Sequence, residues 1–163
     1  MSGPTFPVRA FVDGDLQAAA DLWVATWAAT MPDIDFEARR PWFLEHLAKL
    51  RAAGARVLVA EVPTDAIAGF VIIDPATRYL DQLAVAPGQR GGGAAEALMA
   101  AARAVSPGGI VLDVNQDNGR AVAFYRRSGF RIVSAGENPM SGRAIWRMEW
   151  APDGIRPEPV PAP

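Results

Sequence analysis

The sequence predicts a single α+β domain, and three observations carry that prediction. Its β-rich runs come in blocks, three in succession before helix returns, instead of alternating one for one with helices. The helical stretches show apolar residues at helical spacing and end at glycines, as expected for helices laid on a sheet. Finally, 163 residues with 50% hydrophobic and 21% charged content fill one sizeable core and leave little for a second.

Taken in order, a short strand is expected between Phe6 and Val12, then a turn with a helix cap at Asp13-Gly14-Asp15. Leu16, Ala19, Ala20, Trp23 and Trp27 then recur as one face of a first helix, which Met31 to Asp35 breaks. A second helix is expected from about Asp35 to Ala53, stopped by Gly54. RVLVAEV, AIAGFVIID and RYLDQLAV, with a Pro-Thr-Asp turn after the first, read as an antiparallel meander. Helix returns at AAEALMAAARAV, IVLDV is a buried strand, and RAVAFYRRS is a helix stopped by Gly129. FRIVSAG and AIWRMEW close the domain as a hairpin around Asn138 to Gly142. The domain is expected to span residues 1–150, and the Pro-rich stretch 151–163, without apolar periodicity, to be a disordered tail.

Composition removes several classes of function. Sixteen basic against 18 acidic residues, a net charge of -2, give no global field for nucleic acid or an anionic membrane. The chain has no cysteine and one histidine, so no metal site, disulfide or thiol nucleophile is expected. The opening MSGPTFPVRAF lacks the apolar core of a signal peptide, and no run nears the roughly 18 apolar residues of a membrane span. A cytoplasmic protein is expected, with room for a homodimer.

The most informative segment is LAVAPGQRGGGAAEALM, where a strand enters a glycine cluster and then a helix. Without Cβ atoms, Gly91, Gly92 and Gly93 let an anion approach the amides of the helix start, toward which the helix dipole also draws it. The same cluster also suits a plain tight connection. Gly91-x-Gly93 with Asp113 further on superficially echoes a dinucleotide fingerprint, but Glu96 occupies the third glycine position and no further βαβ units follow. A nucleoside-triphosphate loop fails because no Gly-Lys-Ser/Thr ends the segment.

Arg90-x-x-Gly93-x-Ala95, preceded by LAVAP and followed by EALM, resembles the Arg/Gln-x-x-Gly-x-Gly/Ala acyl-CoA signature of the GNAT superfamily. DVNQDNGRAVAFYRRSGFRIV resembles that family's second hallmark, an Asn, then Ala, Phe-Tyr and Gly-Phe at the same intervals. Both occur in the family's order, and the match in elements extends over roughly Phe6 to Trp150. The resemblance implies a GNAT-like mixed sheet, antiparallel in its first half, with a splayed parallel strand pair at the centre and helices on both faces. It implies an N-acetyltransferase that passes the acetyl group of acetyl-CoA directly to a primary amine, with no metal and no acyl-enzyme.

By the same resemblance, Leu83, Ala84 and Val85 would offer backbone groups to the pantetheine arm, and Arg90, Gly91, Gly92, Gly93, Ala94 and Ala95 would cradle the pyrophosphate. Ala95 stands where glycine is more frequent, and Gly92 where a basic residue is common. Asn118 would reach the cofactor or cap the helix that it begins. Tyr125 would face the thiol and hydrogen-bond or protonate it as it leaves. Asp81, four residues before Val85, matches the position where some members carry a catalytic glutamate; Glu61 is the second candidate base, and a site without a dedicated base is the third reading.

The acceptor is not legible: small amine, amino acid, aminoglycoside, peptide N-terminus and lysine all remain open. In this family acceptor choice usually lies with the first two helices and the late hairpin, which here carry Trp23, Trp27, Met31, Asp33, Asp35, Trp42 and Asn138 to Arg143. The tryptophans are expected mostly in the core, the two aspartates at a helix start and His46 on the surface. A non-catalytic acyl-CoA-binding or sensing module is the rival reading.

Overall fold

The protein is described by a computed structural model covering residues 6–63 and 67–152. The middle of the first meander turn and the Pro-rich stretch beyond Pro152 lie outside the described residues, as does the start of the chain. Strand β1 (Val8–Ala10) leads through a 3₁₀ turn into α1 (Leu16–Thr30) and α2 (Arg40–Ala52). The meander β2 (Arg56–Glu61), β3 (Ile67–Ile73) and β4 (Leu80–Val85) follows, then α3 (Ala94–Val105), β5 (Ile110–Asn115), α4 (Gly119–Arg127), β6 (Arg131–Glu137) and β7 (Ala144–Trp150).

The second helix begins later than its periodicity suggests. Asp35 accepts a bond from the Ala38 amide at 3.1 Å and starts a separate 3₁₀ turn, Glu37–Arg39, while Pro41 in the first turn of α2 marks the helix start. β1 is likewise shorter than expected, since Pro7 has no amide to give and contributes only its carbonyl, to Glu61 at 2.9 Å.

The continuous apolar run of β3 makes it a central strand, buried at every residue. On one face, Trp23 of α1 with Phe43 and Leu47 of α2 cover Val57, Val59, Phe70 and Ile72. Phe43 is fully buried with its ring 5.8 Å from Phe70, and burying such a side chain stabilises by about 1.5–3 kcal/mol. On the other face, Leu98, Met99 and Ala102 of α3 pack on Leu58, Ala60, Val71 and Ile73, and Tyr125 of α4 joins the same cluster with Phe130 and Met148. At Gly69 a Cβ would lie 2.5 Å from the Ala84 carbonyl and 3.0 Å from Leu98, so only glycine lets β3, β4 and α3 meet there.

The sheet departs from the expectation of one mixed sheet. Pairing is antiparallel within two sheets, of order β1-β2-β3-β4 and β5-β7-β6. They meet at one parallel bridge, Tyr79 with Val111, where the Val111 amide donates to the Arg78 carbonyl at 2.9 Å. Past that bridge β4 pairs with β3 alone among the described residues, and β5 pairs with β7 on its other side.

Candidate active site

Where β4 and β5 part, a cleft of about 250 Å³ opens between β4, the start of α3 and one face of α4. Its first wall is a strand edge. The Ala86 amide donates to Ala68 at 2.8 Å, so Ala84 and Ala86 turn their backbone groups toward β3, and Leu83 and Val85, of opposite parity, turn theirs toward the cleft. One of those groups is already used: the Thr26 hydroxyl of α1 donates to the Val85 carbonyl at 3.1 Å.

The second wall is the glycine turn. After the 3₁₀ turn Pro87–Gln89, Arg90 is extended, Gly91 has φ 81° and Gly93 has φ 98°, a left-handed conformation that side-chain-bearing residues resist. Gly93 is the N-cap of α3, and no side chain caps that start. The amides of the first turn, which have no partner inside the helix, are thus left for a ligand. Arg90 lies in this wall facing Arg120 of α4, and burial, followed by the repulsion from Arg120, lowers the Arg90 pKa. Neither guanidinium has an ion pair among the described residues, and with Arg127 they line the cleft against one carboxylate, Glu96, so the excess charge there is positive.

The third wall is the face of α4 that carries Ala121, Phe124 and Tyr125. Asn118 caps this helix, accepting from the Ala121 amide at 3.3 Å, and also lines the cleft. Tyr125 is 8% exposed, wedged 5.5 Å from both Phe124 and Phe130. Burial pushes its phenol up to about 12. Its hydroxyl has no hydrogen-bond partner among the described residues.

The structure therefore gathers Leu83, Ala84, Val85, Arg90, Gly91, Gly93, Ala94, Ala95, Asn118 and Tyr125 around one cleft. Gly92 is outside the wall and faces the other way: a Cβ there would meet the Phe6 ring at 3.5 Å. Both carboxylates singled out as bases also lie off the wall. Asp81 accepts from His46 of α2 at 2.8 Å, so His46 is a partnered side chain and not a free surface residue. Glu61 is bound by Arg9, which also holds buried Asp15 at 2.7 Å, and this ion pairing makes Glu61 a structural member of the β1–β2 edge.

Sequence reasoning placed Trp27 among the acceptor-choosing residues and missed Thr26, Arg120 and Arg127. Arg120 and Arg127 are seven residues apart, two turns on the face of α4 that bears Phe124, a spacing that could have signalled them. Thr26 carried no signal, because its importance comes from a strand 59 residues away.

The acetyltransferase (GNAT) family profile matches residues 16–130. The chain belongs to that family and with it to the acyltransferase enzymes. It is 31% identical to the peptidyl-lysine N-acetyltransferase YjaB of Salmonella typhimurium over 58% of this chain, and spans 63% of that relative's length. With the protein of the same name from Escherichia coli it shares 28% identity over 71% of this chain and 76% of the relative. In fold it resembles the PaiA N-acetyltransferase of Thermoplasma acidophilum, solved with coenzyme A, at a TM-score of 0.72 and 15% identity over 91% of this chain and all of that one.

Proposed function

We propose that residues 1–150 form an N-acetyltransferase domain that moves the acetyl group of acetyl-CoA directly to a primary amine. The observation that carries this reading is the joining of three features in one cleft: the unpaired edge of β4, the uncapped glycine start of α3 with Arg90 and Arg120, and the buried Tyr125. These residues suit the co-substrate. A chain bearing amides can pair with the outward groups of Leu83 and Val85 as a strand would, and a pyrophosphate matches the α3 amides and the two guanidinium groups. No helix among the described residues is long and apolar enough to cross a membrane.

The chemistry follows from the placement. The amine nitrogen attacks the acetyl carbonyl carbon, the C–S bond breaks, and the products are an amide and free coenzyme A. Outward amides of Leu83 and Val85 offer donors to the carbonyl oxygen as charge builds there. An amine of pKa about 10.4 must first lose its proton, at a cost of about 4.6 kcal/mol at pH 7. In this reading Asp81 receives that proton through water and His46, which it orients at 2.8 Å, since the neighbouring Gln82 reaches the space where an acceptor would lie. Tyr125 steadies the departing thiolate.

Calorimetry and thermal shift with acetyl-CoA, NADH and ATP, followed by free-thiol release over an amine panel, test the proposal. Binding of acetyl-CoA alone with turnover on at least one amine is expected. Equal binding of NADH refutes the co-substrate, and binding without turnover on any amine leaves a sensor.

A further inference from the structure

A second hollow, of about 640 Å³, adjoins the cleft, and Trp27 stands in the wall of both. Its walls are aromatic. Trp23 and Trp27 come from α1, and Phe36 and Trp42 from the 3₁₀ turn and α2, with the Trp27 and Phe36 rings stacked at 5.9 Å. Met140 of the β6–β7 turn overhangs it and is 73% exposed.

The charge in this hollow has one sign. Arg39 and Arg143 line it, and no aspartate or glutamate does. Asp35 is spent on the Ala38 amide, and Asp33 lines a different depression. Arg39 lies 5.4 Å over the Phe36 ring with no ion pair among the described residues, and Arg143 has only a 3.4 Å contact with exposed Asp117.

Building on the transferase reading, we infer that the acceptor is a free amino acid with an aromatic side chain, its ring held by Trp27, Phe36 and Trp42 and its carboxylate by Arg39 and Arg143. Two facts select this class. Flat apolar walls reward a ring by stacking. Two guanidinium groups attract a carboxylate and repel the second positive charge of a polyamine, an aminoglycoside or a basic peptide. The bonds made and broken are those of the parent reaction, so the products are an N-acetyl amino acid and free coenzyme A.

The test compares pairs that differ by the carboxylate alone, L-tryptophan with tryptamine and L-phenylalanine with phenethylamine, beside a lysine-containing peptide. Free-thiol release is expected to give a kcat/KM at least about tenfold higher for each amino acid than for its amine. In Arg39→Gln and Arg143→Gln that ratio should fall toward one. Calorimetry of L-tryptophan against the coenzyme A complex reads the hollow even if no amine turns over. No binding there, a preference for the lysine peptide, or an unchanged ratio in both variants overturns the inference while leaving the transferase intact. Failure of acetyl-CoA itself to bind instead removes the transferase reading.

Discussion

Replacing Tyr125 by phenylalanine separates a catalytic phenol from a packing one. Burial pushes this phenol up to about 12, whereas an alkyl thiol ionises near about 8.5. Passing the proton fully to the leaving thiolate would run uphill by about 5 kcal/mol. Tyr125 therefore serves as a hydrogen-bond donor that stays protonated across the working pH range. A hydrogen bond to a charged group is worth about 1.5–3 kcal/mol, which predicts a fall in kcat of about 10–150-fold where thiolate departure limits the rate. Acetyl-CoA affinity should hold, because the ring remains between Phe124 and Phe130. Melting temperature should hold as well, since the hydroxyl gives up no protein partner among the described residues. Alkaline stability supplies a second readout. An unfolded tyrosine ionises near about 10, so the native state loses stability between the unfolded and folded values, by up to about 3 kcal/mol, and is unaffected below them. The phenylalanine variant should lack that loss, so its stability relative to the wild type rises from pH 10 to 12. Wild-type kcat together with a lowered melting temperature would refute the argument and leave Tyr125 as core.

Two further substitutions probe the turn and the base. Gly93→Ala must carry a side chain at φ 98°, so it should cost about 1–2 kcal/mol of stability and also weaken acetyl-CoA binding at least about tenfold, measured by denaturation and calorimetry. Gly88→Ala, next to the turn with nothing within 4 Å of its new Cβ, should do neither, and equal effects from the two would reduce the glycine cluster to a connector. Asp81→Asn should lower transfer most at pH 7 and recover as pH approaches the amine pKa, with His46→Ala following the same profile; a uniform loss at every pH would make the pair a prop for Trp42, on which His46 stacks at 4.6 Å.

Legibility followed the range over which each determinant acts. α3 was readable end to end because a glycine cluster opens it and Ser106-Pro107 closes it, both local signals. The binding turn and Asn118 were readable because backbone conformation and capping are decided within a few residues. Bases were harder. What a carboxylate can do depends on its partner, and the partners, Arg9 for Glu61 and His46 for Asp81, lie 52 and 35 residues away in sequence. The acceptor hollow was half visible: Trp23 is core, as its pattern implied, but it is also wall, and Arg39 and Arg143 meet only through the fold. The division into two sheets was invisible, since it rests on pairing between strands far apart in the sequence, β5 with β7 among them.

That division bears directly on why the cleft persists. Backbone groups buried without partners cost about 1–3 kcal/mol each, so a strand edge inside a domain is normally closed by another strand. Here β5 meets β4 at a single bridge, and among the described residues nothing beyond it pairs with the outward groups of Leu83 or Val85 except the Thr26 hydroxyl at the Val85 carbonyl. Thr26 thus satisfies the group nearest the turn and ties α1 to the strand end, so that the edge stays in place without being covered. In the proposed function the remaining outward groups are those that a chain bearing amides would meet. Such an edge would bind through hydrogen bonds that any side chain could frame, so the residues at 83–85 can be ordinary core types, whereas the turn beside it has positive φ at Gly91 and Gly93, where glycine is needed.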